Sequence, residues 1–172
     1  MNKNIILIGM PASGKSTAGI ILAKVLKMDF IDADLVIQKE EGRLLKDIIE
    51  SEGIDGFIDI ENRINKGIEA ENTVIATGGS ACYGKEAMEH YQETGIVVYL
   101  ECTLNELQSR LSDLKDRGVV LREGQSLKDL YEERTPLYEK YAHCKITENG
   151  WNVSDIVRDI KNILISQGFI KH

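Results

Sequence analysis

Short apolar runs alternate with longer amphipathic segments along the chain. The runs at 4–9, 73–77 and 95–100 are almost continuously apolar, which is typical of strands covered on both faces of a parallel sheet. Shorter runs at 29–32 and 143–147 fit two further strands. Strands that alternate with helices over the whole length predict an α/β fold, in which a five-stranded parallel sheet is sandwiched by helices and joined by right-handed crossovers.

Helical spacing of apolar residues fills the segments between these strands. The predicted helices span 15–27, 35–41, 44–52, 58–71, 84–91, 103–111, 126–141 and 153–166. In the first of them, one helical stripe carries the large apolar residues Ile20, Ile21, Leu22, Val25 and Leu26. Thr103 with Glu106 three residues later matches a capping box, and Pro136 predicts a kink in its helix.

Composition narrows the class of protein. The 172 residues are 42% hydrophobic and 28% charged, which predicts one globular domain over residues 1–172 without a membrane span. A net charge of −7 disfavours nonspecific binding to nucleic acid, whereas a local arginine cluster can still hold a small anionic substrate. The three cysteines are far apart and in no metal-ligand spacing, which favours buried side chains. The first residues pass directly into a strand and leave no room for a signal peptide, so we expect a cytoplasmic protein, and we expect a monomer.

The strongest motif is Gly9-Met10-Pro11-Ala12-Ser13-Gly14-Lys15-Ser16, which fits G-x-x-x-x-G-K-[ST] between a predicted strand and a predicted helix. Its glycines let main-chain N–H groups turn inward, and the start of the following helix adds partial positive charge, so the loop predicts a cradle for the phosphates of ATP. Lys15 is expected to reach the outer phosphates, and Ser16 is expected to offer its hydroxyl to Mg²⁺. A glycine turn that merely contains Lys and Ser is the plain alternative, and the flanking strand and helix argue against it. The expected nucleotide contacts are Gly9, Pro11, Ala12, Ser13, Gly14, Lys15, Ser16 and Thr17.

A P-loop alone does not separate a kinase from a GTPase or an ATPase, so the acceptor side has to decide. Asp32 and Asp34 follow the second predicted strand, at the sheet edge where α/β proteins bind ligands. Phosphoryl transfer needs one group to orient the attacking hydroxyl and another to position Mg²⁺, and we assign Asp34 to the hydroxyl and Asp32 to metal-bound water. The alternative is that Asp32 only caps the next helix and that Asp34 is a solvated charge in its first turn.

Two further segments belong to the predicted site. Gly78-Gly79-Ser80 follows the third predicted strand and forms a second glycine turn at the same edge of the sheet. Residues 112–125 are rich in charge and lack apolar periodicity, which predicts a mobile surface segment that we interpret as a lid.

These residues resemble the shikimate kinases, a family of P-loop proteins similar to nucleoside monophosphate kinases. The resemblance covers nearly the full chain. It rests on the P-loop, the Asp32-x-Asp34 pair, the Gly78-Gly79 turn, a lid arginine, and Arg134-Thr135-Pro136-Leu137-Tyr138, which is similar to the family's Arg-x-Pro-Leu-Tyr. It implies a P-loop kinase fold with a lid at about 112–125 and an acceptor-binding helical region at about 33–71.

The resemblance also implies roles for single residues. Asp34 would bind the acceptor hydroxyl and act as the base, while Arg134 would grip the acceptor's carboxylate and the glycine turn would contact its ring. Arg117, in Arg117-Gly118-Val119-Val120-Leu121, matches the lid arginine that closes over phosphate, with Arg122 as a second candidate. Arg110 matches a basic residue that contacts the adenine region in similar enzymes. The alternative is that Arg110 forms only a surface salt bridge.

The chain departs from the family's pattern at two acceptor positions. The family's Phe-Arg-x-x-Glu corresponds to Phe57-Ile58-Asp59-Ile60-Glu61, so Ile58 replaces a carboxylate-binding arginine. Ser80 replaces the third glycine of the family's Gly-Gly-Gly turn and adds a side chain where the acceptor ring is expected. Losing one bidentate arginine contact, typically about 1.5–3 kcal/mol, predicts shikimate binding that is weaker by roughly ten-fold or more. Arg63 could substitute only after a local rearrangement, because position 63 points away from position 58 on a helix.

The sequence therefore predicts an ATP- and Mg²⁺-dependent kinase that phosphorylates a hydroxyl of a small carboxylated acceptor, with shikimate as the first candidate and shikimate 3-phosphate as its product. A related kinase with a different acceptor is the second hypothesis, motivated by Ile58 and Ser80. A nucleotide-binding regulatory or interaction protein without acceptor chemistry is the third. The joint presence of Asp32, Asp34 and Arg134 argues against it.

Overall fold

The computed structural model describes residues 3–111, 119, 121–147 and 152–170. Within them the strands are β1 (Asn4–Ile8), β2 (Asp29–Asp32), β3 (Thr73–Ala76), β4 (Gly95–Glu101) and β5 (Cys144–Thr147). They form one five-stranded sheet in the order β2-β3-β1-β4-β5, and every neighbouring pair is parallel. The predicted α/β fold with a five-stranded parallel sheet is confirmed.

Helices cover both faces of this sheet. They are α1 (Lys15–Leu26), α2 (Ala33–Glu41), α3 (Leu45–Lys66), α4 (Lys85–Thr94), α5 (Leu104–Arg110), α6 (Leu127–Tyr141) and α7 (Val153–Ser166), with a short 3-10 helix at Ala81–Tyr83. Side chains alternate along β1, so Ile5 and Leu7 pack with α1 and α7, while Ile6 and Ile8 pack with α4 and α6. None of these helices, within the described ranges, combines the length and the apolar character needed to cross a membrane.

The order of the strands brings three loops together. β1 lies between β3 and β4, and the P-loop follows its carboxyl end. Asp32 ends β2, and residues 77–80 follow β3. Because these strands are parallel, their carboxyl ends meet at the same edge of the sheet, which is where open α/β sheets bind ligands.

The buried face of α1 is not the predicted stripe of large apolar residues. The residues that face the interior are Lys15, Ala18, Gly19, Leu22 and Ala23. Ile20, Ile21 and Val25 are instead 55%, 37% and 48% exposed. A Cβ on Gly19 would lie 2.8 Å from Cε2 of Phe30, so the helix backbone comes very close to β2. Since the P-loop fixes where α1 starts, small residues and Leu22 face the sheet, while Ile20, Ile21 and Val25 lie on the outer side.

The acceptor-side helices differ from their predicted bounds. The helices predicted at 44–52 and 58–71 form the single run α3, with the expected interruption at Gly53, where φ is 73° and ψ is 177°. This run ends at Lys66 because the chain then turns toward β3, and Asn4 Nδ2 donates a hydrogen bond to the carbonyl of Ala70 (2.7 Å). Helix α6 continues through Pro136.

Candidate active site

The shape of the P-loop depends on two glycines. Gly9 has φ 147°, and a Cβ at this position would lie 2.6 Å from the carbonyl oxygen of Leu100. Gly14 adopts the left-handed conformation with φ 80° and precedes α1 without a side-chain cap. Uncapped N–H groups at a helix N-terminus attract anions. The loop therefore has the form of a phosphate cradle.

Lys15 is folded back onto this loop. Its Nζ donates hydrogen bonds to the carbonyls of Gly9 (2.8 Å) and Met10 (2.7 Å) and lies 3.4 Å from Ser13 Oγ. The ammonium group is therefore held by main-chain oxygens at the base of the cradle. Its flexible stem allows it to exchange these oxygens for phosphate.

Ser16 and Asp32 form a pair of oxygen donors beside the cradle. Ser16 Oγ donates to Asp32 Oδ2 at 2.8 Å, while Asp32 Oδ1 accepts from the main-chain N–H of Asp34 at 3.0 Å and so caps α2. Mg²⁺ prefers such oxygens and is usually held by one or two protein groups together with water and phosphate. These residues fit that ion. No group of three or more potential metal-ligating His, Cys, Asp or Glu side chains occurs within the described residues.

A cavity of about 280 Å³ opens in front of the P-loop. The predicted residues that line it are Pro11, Ala12, Gly14, Lys15, Ser16, Thr17, Asp34, Gly78, Gly79, Ser80 and Arg134. Leu45, Phe57 and Thr77 complete its wall, and none of the three was predicted. Gly9 and Ser13 do not line it; they shape the loop from behind, where Ser13 is fully buried.

Asp34, the predicted base, lines this cavity. The pKa of its carboxyl is raised from 3.8 to about 6, mainly by burial and also by the neighbouring Asp32 carboxylate, while the Lys15 ammonium opposes both effects. A base works best when its pKa lies near the working pH, because it is then both ionised and able to take a proton. Asp34 has this property.

Arg134, on α6, lines the same cavity as Asp34 and is only 1% exposed. Its Nε donates to the hydroxyl of Tyr83 at 3.3 Å, and its guanidinium carbon lies 5.2 Å from the centre of that ring. A Cβ on Gly79 would lie 3.0 Å from Arg134 Nη1, so the glycine turn leaves room for the guanidinium. Tyr138, one helical turn further on, donates its hydroxyl hydrogen bond to the Gly79 carbonyl at 2.5 Å and fixes the turn.

Comparison with known proteins assigns this chain to a family. The family model described as Shikimate kinase matches residues 11–164. The shikimate kinase of a Sulfurihydrogenibium species is 36% identical over 92% of this chain and 95% of its own length. That of Francisella tularensis subsp. holarctica is 39% identical over 96% of both chains. The chain belongs to the shikimate kinase family.

Solved structures of shikimate kinases have the same fold. The Acinetobacter baumannii enzyme, solved in complex with shikimate, has a TM-score of 0.89 and 32% identity over 98% of this chain and 96% of its own. The Aquifex aeolicus enzyme has a TM-score of 0.83 and 33% identity over 95% of this chain and 97% of its own. The expectation of a kinase, rather than of a nucleotide-binding protein without chemistry, is confirmed.

The family's pattern predicts an acceptor contact at position 58, and the structure places Ile58 beside the main cavity rather than in its wall. Ile58 is half-buried and does not line the main cavity. It lines a smaller neighbouring cavity together with Arg122 and Arg134. Arg122 Nη2 forms an ion pair with Asp55 Oδ1 on α3 at 2.6 Å. Arg122, the second candidate for the lid arginine, thus lies next to α3.

The other predicted arginines have separate positions. Arg110 Nη1 donates to the carbonyl of Ala12 at 3.2 Å, so it contacts the P-loop, and its role near the adenine stays a prediction. Arg63 is 62% exposed and pairs with Glu41 at 2.7 Å, so it does not take the place of a residue at 58. Arg117 and most of the predicted lid lie outside the described residues.

Ser80 does not present its hydroxyl to the acceptor. It is 5% exposed, and its Oγ donates to Glu61 Oε2 at 2.6 Å. In the sequence, Glu61 stands out only as the last residue of the Phe57-to-Glu61 motif, which gives it no role. Burial raises the pKa of Glu61 to about 8, and the hydrogen bond from Ser80 opposes this effect. The second departure from the family's pattern is therefore joined to a buried acid that sequence reasoning missed.

Proposed function

We propose that this chain is an ATP- and Mg²⁺-dependent kinase that transfers a phosphoryl group to a hydroxyl of shikimate and yields shikimate 3-phosphate. The observation that carries the proposal is the single cavity in which the P-loop, Asp34 and Arg134 face one another. Membership of the shikimate kinase family supports it, as does the structural relative from Acinetobacter baumannii that was solved with shikimate.

The side chains divide the work on the nucleotide side. When bound, MgATP would supply the phosphoryl group, and its metal would offset negative charge on the phosphates. Lys15 and the N–H groups at the start of α1 stabilise negative charge on the phosphates, because they are fixed donors in a partly buried site. Ser16 and Asp32 are proposed to hold Mg²⁺ directly or through water. Arg117 stays the predicted lid arginine.

On the acceptor side, Asp34 accepts the proton of the attacking hydroxyl, and Arg134 binds the acceptor's carboxylate. A planar guanidinium suits a carboxylate because two parallel N–H groups can bond its two oxygens. Gly78 and Gly79 lack side chains where the acceptor ring would approach. Holding the hydroxyl and the phosphoryl group in one cavity supplies much of the rate enhancement that positioning can give.

Turnover of shikimate tests this proposal directly. ADP release should require ATP, Mg²⁺ and shikimate together, and Asp34→Asn should lower kcat by ~100-fold or more while the KM for ATP changes little. Asp59→Asn is the matched control, because Asp59 is an exposed acid on α3. The wild type could instead phosphorylate another hydroxy acid, but not shikimate, in a reaction that needs Asp34. That result would exclude shikimate as the acceptor and would still support the assignment as a kinase.

A shikimate-like hydroxy acid is the second candidate acceptor, and the apolar side chain of Ile58 favours it. If shikimate is the acceptor but is bound by a single arginine, Ile58→Arg should lower the KM for shikimate, by roughly ten-fold, with kcat little changed. Unchanged KM values for shikimate in this variant would argue that position 58 does not reach the acceptor. A panel of hydroxy acids with and without a carboxylate then identifies the preferred one.

A further inference from the structure

Glu61 is a buried acid that forms no ion pair within the described residues. Its side chain lies on α3 and is 1% exposed. Oε2 accepts the hydrogen bond from Ser80 Oγ, whereas Oε1 is buried and has no hydrogen-bond partner among the described residues. A carboxylate that is removed from water without an ion pair is strongly destabilised relative to the neutral acid. Ile58, three residues earlier on the same helix, provides no charge to compensate.

The unpartnered oxygen faces the acceptor side. A Cβ on Gly78 would lie 2.8 Å from Glu61 Oε1 and 2.6 Å from Asp34 Oδ1. Both carboxyl oxygens therefore lie on the same side of Gly78, where Asp34 lines the cavity and Glu61 does not. Two carboxyl groups this close do not ionise independently, so one of them retains its proton over part of the pH range.

The groups around Glu61 come from every element packed against it. Asp34 on α2 raises its pKa, whereas Arg134 on α6 and Lys15 on α1 lower it. Tyr91 on α4 and Cys82 on the 3-10 helix are also within its electrostatic range, and burial raises the pKa of each. No ion pair joins Glu61 to a cation within the described part of the chain. Burial therefore dominates and favours the neutral form.

We propose that Glu61 is a positioning residue that acts as a neutral carboxylic acid, with Oε2 accepting from Ser80 and the proton on Oε1 facing the Asp34 side of the glycine turn. This arrangement ties α3 to residues 78–80 and keeps a second negative charge away from Asp34. Ser80 then serves as the partner that keeps Glu61 in place. The part that concerns Asp34 rests on the proposed function, whereas the neutral state of Glu61 does not.

Infrared spectroscopy of the full chain without ligands tests the neutral state. At about pH 7, the spectrum of the wild type minus that of Glu61→Gln should contain the carbonyl band of a protonated carboxyl, and the band should disappear by about pH 10. In Ser80→Ala the band should persist at higher frequency, because its carbonyl oxygen has lost a hydrogen bond. Replacing the exposed Glu69 by Gln should not affect it. The absence of the band at neutral pH would overturn the proposal.

Kinetics tests the positioning. Glu61→Ala leaves Ser80 without an acceptor and should lower kcat/KM for shikimate by ~10-fold or more. Glu61→Gln keeps an acceptor and a donor in the same places, so it should recover most of that loss and should lack the decline at alkaline pH that the wild type shows. A folded Glu61→Gln protein as impaired as Glu61→Ala would overturn the proposal. If the wild type does not phosphorylate shikimate, the proposed function fails and the infrared result still decides the state of Glu61.

Discussion

Asp32 uses its two carboxylate oxygens for different partners. Oδ1 caps α2 through the N–H of Asp34, and Oδ2 accepts from Ser16. The two interpretations of this residue from the sequence, a helix cap and a metal-site residue, are therefore compatible. The cap is present, and the role toward Mg²⁺ stays a prediction that a substitution can separate from it.

Asp32→Ser should separate these roles. Serine caps a helix about as well as aspartate, so the free energy of unfolding should change by less than about 0.5 kcal/mol. The carboxylate next to Ser16 is lost, so the Mg²⁺ concentration needed for half-maximal activity should rise about ten-fold or more. Asp32→Ala should show the same kinetic defect and should also lose about 1 kcal/mol of stability. Magnesium titrations and urea unfolding measure the two effects, and equal Mg²⁺ requirements in Asp32→Ser and the wild type would refute the assignment.

Local motifs at the residue scale were predictable, and the contacts between distant residues were not. The P-loop and the Asp32-x-Asp34 pair are short motifs whose chemistry depends on adjacent residues. Thr77 directly precedes the glycine turn and Phe57 starts the motif that ends at Glu61, so both carried a signal. Leu45 carried none. The bond between Ser80 and Glu61 joins residues 19 positions apart and depends on how α3 packs on the turn, which no spacing reveals.

At the scale of elements, α1 shows where periodicity is misleading. Its large apolar residues form a stripe, yet the P-loop fixes its start and the sheet accepts only small side chains at Ala18, Gly19 and Ala23. The closing helix α7 has no such constraint, and its predicted span of 153–166 is correct. Hydrophobic pattern therefore predicts a helix best where packing alone decides its rotation.

Substitutions in α1 test this rotation. Leu22→Ala should lower the free energy of unfolding by about 2–5 kcal/mol, because Leu22 is fully buried and leaves a cavity. Ile20→Ala and Val25→Ala should each change it by less than about 1 kcal/mol, because both side chains are about half exposed. Urea unfolding monitored by circular dichroism measures all three variants. Comparable losses for Ile20→Ala and Leu22→Ala would contradict the observed rotation.

At the scale of the whole molecule, the parallel sheet gathers residues that are far apart in sequence. Its carboxyl edge joins Lys15, Asp34 and the turn at 78–80, and α6 adds Arg134 across the cavity. Alternating strands and helices predicted this edge correctly, because parallel topology leaves few arrangements. The site contains two buried acids, Asp34 and Glu61, and burial destabilises the ionised form of each.

The burial of these two acids should affect how the free energy of unfolding depends on pH. The folded protein raises the pKa of Asp34 to about 6 and that of Glu61 to about 8, above their values in the unfolded chain. A folded state that binds protons more tightly loses stability as pH rises, so on this account stability should be greatest below about pH 4 and should fall until about pH 8.

Glu61→Gln separates the two acids. Glutamine cannot ionise, so between about pH 4.5 and about pH 8 the wild type should lose up to about 1.4 kcal/mol per pH unit that the variant keeps. Between about pH 4 and about pH 6 both proteins should also lose stability through Asp34. Urea unfolding across this range, with Glu69→Gln as an exposed control, measures the difference. Parallel curves for the wild type and Glu61→Gln up to pH 9 would mean that Glu61 is already ionised in the folded protein at neutral pH.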